Sequence, residues 1–244
     1  MLLNKIENLK VVFFDMGGTL LHFHKTLSNE VKDEIGLSYM LTYLKNKHHF
    51  SGDLQTLKNE YWPLFDELMK TRSQGTYEYP IEDHMNLFLR KYGIFLTQPE
   101  AHFCQKLFIK EYHPYIWTED CTKDVLAIIK ERGLKIGVIS NTYLPDEIMI
   151  EFFETAGLHP FIDDYTFSYY QQIKKPRPEI FHYALEKMNC SAQNTLMIGD
   201  KLEADVLGAE QVGMSTIWYN LKNISNSTNI LPQYTISSFI ELIN

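Results

Sequence analysis

The stretch Lys10-Val11-Val12-Phe13-Phe14 runs straight into Asp15-Met16-Gly17-Gly18, and that junction constrains the fold more than any other feature of the chain. β-Branched and aromatic residues in so short an unbroken run read as a strand buried on both faces. Such a strand belongs inside a parallel sheet covered by helices. The second half of the chain agrees. Residues 120–132 place Val125, Leu126 and Ile129 on one helical face, with acids near the start, Lys130 and Arg132 in the last turn and Gly133 as a stop. A buried strand over 134–139 follows and ends at Ser140-Asn141. A helix over 145–156 stops at Gly157, and a weak strand lies at 165–167. A further helix begins at Pro178, where proline suits a first turn. A strand over 195–198 ends at Gly199-Asp200, a helix stops at Gly213, and a strand spans 214–219. Residues 234–236 and the tail SSFIELIN read as a last strand and helix, with Ser237 as N-cap. The alternation predicts an α/β fold, a doubly wound parallel sheet of Rossmann-like type that binds ligands at the carboxyl ends of its strands.

Residues 22–113 break that rhythm. They contain helix-like stretches at 30–47, 54–71, 81–92 and 99–112, and no convincing strand. An all-helical block after the first strand predicts an inserted α-helical cap domain over 22–113, with the core made of 1–21 and 114–244. Tyr61, Trp62 and Phe65 read as the cap's own small core rather than as substrate contacts.

The formal net charge of -8 argues against binding a nucleic-acid backbone. It does not exclude a small anionic substrate, because a metal and one lysine reverse the sign inside a pocket. Three cysteines are too few and too scattered for a disulfide framework or a metal knuckle. No run reaches the length of a membrane span, and the N-terminus lacks a signal peptide. The expectation is a cytoplasmic protein with neither nucleic-acid nor membrane partners. Its oligomeric state is not legible.

The chemistry gathers at strand ends. Asp15 follows the first strand and Ser140 the second. Lys175 lies in KKPRPEIF just ahead of a helix, and Asp200 and Asp205 lie in GDKLEAD after a later strand. Each has an ordinary explanation alone: a turn aspartate, an N-cap serine, a surface lysine, acids at a helix start. Brought to one edge of a parallel sheet, they give carboxylates, a hydroxyl and an ammonium, the set that phosphoryl transfer needs. A carboxylate can attack phosphorus and hold a covalent intermediate, and Mg²⁺ is usually held by a few carboxylates, water and phosphate oxygens.

This arrangement resembles the haloacid dehalogenase-like hydrolase superfamily. VVFFDMGGTL is similar to its first motif, GVISN to its second, KKPRPEIF to its third and MIGDKLEADVLGAEQVGM to its fourth. The resemblance covers the core almost end to end, and the position of the insertion matches the subclass with a helical cap between the first two motifs. It implies Asp15 as nucleophile and metal ligand, and Ser140 and Lys175 as catalytic phosphate contacts. Gly18, Thr19 and Asn141 would join the phosphate site. Asp15, the carbonyl of Gly17, Asp200 and Asp205 would surround Mg²⁺, and the substrate would be a small phosphorylated metabolite.

The chain departs from the pattern at one position. The family's phosphatases carry a second aspartate two residues after the nucleophile, and here that residue is Gly17. The lost carboxylate would have protonated the leaving oxygen and activated water, a contribution of about 10²–10⁴-fold. The expected phosphatase is therefore a weakened one that favours good leaving groups. Two alternatives stay open: a catalytically impaired module that binds a phosphorylated ligand or a protein, and a hydrolase of phosphonatase or dehalogenase type. A receiver-type phospho-acceptor domain is disfavoured, since it needs extra acids near strand one and lacks a cap. His22 and His24 follow the first motif and could supply the missing proton. In an extended segment both would face the cleft while Phe23 packs away. Lys175 is expected to reach Asp15, and Lys174 to be exposed and dispensable.

Overall fold

The structure of the chain, a computed structural model, describes residues 2–23, 26–79 and 81–244. Six strands form one sheet: β1 (Val11–Phe14), β2 (Lys135–Ser140), β3 (Asp164–Phe167), β4 (Thr195–Gly199), β5 (Ser215–Tyr219) and β6 (Tyr234–Ile236). All five pairings are parallel, in the order β3-β2-β1-β4-β5-β6. β1 therefore sits at the centre, flanked by β2 and β4, and all four of its residues are buried. That is the outcome an unbroken apolar strand requires, since neither face can meet water. From β1 the chain builds one half of the sheet through β2 and β3, then crosses back to build the other through β4, β5 and β6. The crevice where the direction reverses lies beyond the carboxyl ends of β1 and β4, which is where doubly wound sheets place ligands.

Helices Thr122–Glu131, Asp146–Ala156 and Pro178–Lys187 connect these strands. Helix Asp146–Ala156 ends at Gly157 in a left-handed turn with φ 69°, the conformation glycine adopts at least cost. The tail differs from expectation. Instead of a helix capped by Ser237, it forms one tight turn, Phe239–Leu242, capped by Ser238. Eight residues with two of them spent on capping leave too few for an α-helix of its own. The segment after Asp200 also departs from a regular helix. Leu202–Leu207 is wound in wide π-type turns before a short α-helical end at Gly208–Glu210.

Between β1 and β2 the regular elements are helical: Asn29–His48, a continuous run over 54–74, Ile81–Leu89 and Gln98–Ile109. Tyr61 and Phe65 are buried within this block, and Trp62 packs half-buried on Phe65 and Phe108. The outgoing and returning linkers pair with each other. His22 and Trp117 exchange backbone hydrogen bonds of 2.9 and 3.0 Å. Fully buried Lys32 reinforces the junction, donating to the Phe23 carbonyl at 2.6 Å with its ammonium 4.5 Å from the Tyr112 ring. No helix among the described residues is long and apolar enough to cross a membrane.

One carboxyl outside the crevice sits under strain. Burial first, and then the charge of Glu147, push Asp146 up to about 7 from an ordinary value of 3.8. Its Oδ1 is buried with no hydrogen-bond partner among the described residues. A raised carboxyl pKa means the folded chain holds the proton more tightly than the unfolded one, so stability is lost as pH rises from about 4 to about 7. Asp146→Asn is expected to raise the melting temperature at pH 8 and to change it little at about pH 4, where neither state has yet lost much of the proton. Equal effects at both pH values in thermal unfolding would count against this account.

Candidate active site

Asp15 is the first residue past β1 and Asp200 the first past β4, so adjacent strands deliver two carboxylates to the crevice. The Asp15 amide donates to the Ile198 carbonyl at 2.9 Å, which extends the β1–β4 pairing and fixes where the side chain starts. Asp205 reaches the same place from the π-wound segment. Ligand oxygens of Asp15, Asp200 and Asp205 lie within 4.8 Å of one another.

Lys175 holds this group together. Its ammonium donates to Asp15 Oδ1 at 2.8 Å, to Asp205 Oδ1 at 2.6 Å and to the Ile139 carbonyl at 2.5 Å. That uses all three of its donors. Ser140, the last residue of β2, adds a second donor to Asp15 Oδ1 at 3.0 Å. Asn141 fixes the lysine loop from both sides. It donates to the Lys175 carbonyl at 3.0 Å and accepts from the Lys175 amide at 2.8 Å. The Lys201 amide donates to Asp205 Oδ2 at 2.9 Å, so both Asp205 oxygens are taken. Asp15 Oδ2, by contrast, receives no hydrogen bond among the described residues.

Two glycines make room for these carboxylates. A Cβ on Gly199 would stand 2.2 Å from Asp205 Oδ2, so the acid lies directly against the end of β4. Gly18 has φ +86°, and a Cβ there would come within 2.7 Å of Asp200 Oδ2. Any other residue at Gly18 would both strain the backbone and push Asp200 out of the crevice.

The charges are unevenly matched. Burial raises the pKa of Asp200, the charge of Asp15 raises it further, and Lys201, 2.9 Å from its Oδ2, opposes both. Burial pushes Asp205 up to about 7 against the pull of Lys175. For Lys175 burial opposes the charge, yet Asp15 and Asp205 together outweigh it and favour the ammonium. Three carboxylates thus converge with only one buried cation, bonded to two of them, and Asp200 Oδ1 is buried without a hydrogen-bond partner among the described residues. A hard divalent cation fits this donor set of carboxylate and carbonyl oxygens.

Several expectations need correction. Thr19 is fully buried, and the Asn141 side chain is committed to the Lys175 backbone. Gly18 spends its amide on the Leu21 carbonyl at 2.9 Å inside the turn. The turn takes up the Gly18 and Thr19 amides, while the Thr19 hydroxyl is buried without a hydrogen-bond partner among the described residues. Lys174 is not exposed: it is 5% accessible, and its ammonium donates to the Arg72 carbonyl. Burial lowers its pKa, and the charge of Arg72 adds to that. Phe23 does not pack away from the cleft. With His22 it lines a cavity of about 530 Å³ beside Gly17, Gly18 and Asp200, where His22 stacks on Trp117 at 4.1 Å. His24 lies outside the described residues.

Removing the central cation should be costly. Lys175→Met leaves buried Asp15 and Asp205 facing each other, and breaking a buried pair costs about 3–5 kcal/mol. Urea unfolding in metal-free buffer is the measurement. A change below about 1 kcal/mol would mean that the carboxylates find another way to shed charge.

The family model for haloacid dehalogenase-like hydrolases matches residues 9–213. The chain belongs to the haloacid dehalogenase-like hydrolases. The match takes in all four strand-end motifs. The chain is 28% identical to a glyceraldehyde 3-phosphate phosphatase of Pyrococcus abyssi over 217 residues, covering 86% of this chain and 81% of that one. Among solved structures, a 2-haloacid dehalogenase of Pseudomonas syringae superposes with a TM-score of 0.66 at 19% identity. The magnesium-bound HAD-hydrolase YfnB of Bacillus subtilis does so with 0.59 at 21%, and each superposition covers 96% of both chains. At such identities the structural likenesses speak for the fold alone. A phosphatase and a dehalogenase share this architecture, so the reaction must be argued from the site.

Proposed function

We propose that this hydrolase is a Mg²⁺-dependent phosphatase of a small phosphorylated metabolite, working through an aspartyl-phosphate on Asp15. The observation that carries the reading is the convergence of Asp15, Asp200 and Asp205 within 4.8 Å of one another, two of them bonded to one buried lysine. Cleavage of a carbon–halogen bond releases a halide and needs no such acidic cluster. A phosphoryl group brings its own negative charge and needs cations to balance it.

Asp15 and Asp200 would hold Mg²⁺ with the carbonyl of Gly17, while Asp205, both oxygens engaged, supports from behind. The metal supplies charge neutralisation to the phosphoryl oxygens. Asp15 Oδ1 is anchored by Lys175 and Ser140, which leaves Oδ2 as the attacking atom. Oδ2 forms a bond to phosphorus as the P–O bond to the leaving group breaks, and that oxygen departs with the electron pair. Water then attacks phosphorus, the P–Oδ2 bond breaks, and inorganic phosphate leaves with Asp15 restored. Lys175 and Ser140 keep the carboxylate oriented through both displacements. No carboxylate stands at Gly17 to protonate the leaving oxygen, so acyl and aryl phosphates are the better substrates.

Steady-state hydrolysis of p-nitrophenyl phosphate tests the reading. Turnover should saturate, require Mg²⁺ and fall to background with a chelator. Phosphate binding without turnover would point instead to a binding module. Chloride release from a chlorinated acid would assign the site to dehalogenation.

A further inference from the structure

We propose that Arg72 is the specificity-determining residue of this site and that it reads a second anionic group, a carboxylate or a phosphate, on the leaving side of the ester. The inference rests on the phosphatase reading and extends it to the substrate class. A second cavity, of about 300 Å³, lies between the helical block and the sheet edge. Met16 and Asn141, the residues after Asp15 and Ser140, border it, and Phe23 lines both it and the cavity at Gly17 and Asp200, so the two adjoin. Most of its wall is apolar or aromatic, with Tyr112, Tyr143 and Phe152 prominent. Arg72 is the one formally charged residue among those that line it.

Arg72 is held as a recognition group is held. Its Nε and Nη2 both bond Glu78, the latter at 2.8 Å, and Glu78 is 3% accessible. Glu78 also accepts from Ser168 at 2.7 Å, so a core residue fixes the carboxylate that fixes the arginine. The guanidinium lies 5.6 Å from the centre of the Tyr143 ring. Nη1 makes no hydrogen bond among the described residues, which leaves one edge of the fork with donors to give. Lys174 is buried against the Arg72 carbonyl, and Lys32 over the Tyr112 ring faces Asp33 on the Tyr112 hydroxyl, so three cations stand against the two carboxylates Glu78 and Asp33. The local balance is positive, and in an apolar cavity that charge favours an anion over a neutral acceptor.

Calorimetric titration of the wild type in Mg²⁺ buffer with three stable ligands tests this: inorganic phosphate, phosphonopropionate and a propane bisphosphonate. The wild type should prefer at least one of the two longer ligands to phosphate by about tenfold or more, the scale of one charge-assisted hydrogen bond. Whichever is tighter distinguishes a carboxylate reader from a phosphate reader. Arg72→Met should erase the preference while leaving phosphate binding within about threefold. Because that variant strands a buried glutamate, the double variant Arg72→Met, Glu78→Gln is measured beside it and should behave alike. A preference that survives either variant, or a wild type with no preference, overturns the proposal. Parallel loss of phosphate binding in the double variant would make Arg72 structural and overturn it too. Failure of the wild type to bind phosphate at all strikes the phosphatase reading itself, a separate and visible result.

Discussion

Asp15→Asn is expected to lower kcat on p-nitrophenyl phosphate by about 10³-fold or more, the scale of losing a nucleophile outright. The amide oxygen is too weak a nucleophile to open an acyl-phosphate pathway, and among the described crevice residues the other candidates are committed, Asp200 to the proposed metal. Ser140 points its hydroxyl at Asp15 Oδ1, and Asp205 has both oxygens committed. Residual activity above about a tenth of wild type would mean that water attacks phosphorus directly and that Asp15 only holds the metal. The variant should still fold, because an amide oxygen can accept from Lys175 and Ser140. Its circular dichroism spectrum should match that of the wild type.

Gly17→Asp should do the opposite. A Cβ at Gly17 would meet only Phe23 Cε2, at 3.9 Å, an ordinary contact, and the backbone there has no left-handed φ. The missing carboxylate is thus excluded by the genetic choice of residue and not by space. Installing it should raise kcat/KM on alkyl phosphates by about 10²–10⁴-fold, and much less on aryl phosphates, whose leaving oxygens need no proton. The ratio of the two rates is the quantity to measure. An unchanged ratio would mean either that the new acid is misplaced or that His22, on the wall of the same cavity, already serves. His22→Ala in the wild-type background separates those cases, because only a working proton donor would make alkyl phosphates fall further than aryl ones.

Much of this site could be read from the linear chain because strand ends announce themselves. β1 is four apolar residues with an aspartate after them, and β4 ends at Gly199-Asp200 in the same way. Parallel pairing does the rest, since it must bring every carboxyl end to one edge. What stayed hidden depends on packing between distant segments. Lys174 and Lys175 are neighbours with the same chemistry, and both are buried, but on different partners. One of those partners is a backbone carbonyl 102 residues away, which no local pattern encodes. Arg72 and Glu78 lie close in sequence, but Glu78 is buried by Ser168, 90 residues on, a contact that no local pattern encodes. The amides of Gly18 and Thr19 are spent inside a tight turn, on the Leu21 and Met16 carbonyls, and a sequence motif does not reveal where a turn's donors go.

The loop at 76–78 has a further consequence. Tyr77 bridges Ile173 in antiparallel fashion, the Glu78 amide donates to the Gln172 carbonyl at 3.0 Å, and the Lys174 amide donates to the Thr76 carbonyl at 2.9 Å. The helical block is therefore tied to the sheet not only through its paired linkers at His22 and Trp117 but also by a clasp that ends one residue short of Lys175. A door with a hinge on one side and a clasp on the other swings only after the clasp releases. Any outward swing of the helical block would first have to break these two hydrogen bonds, which sit immediately ahead of the lysine that bonds Asp15.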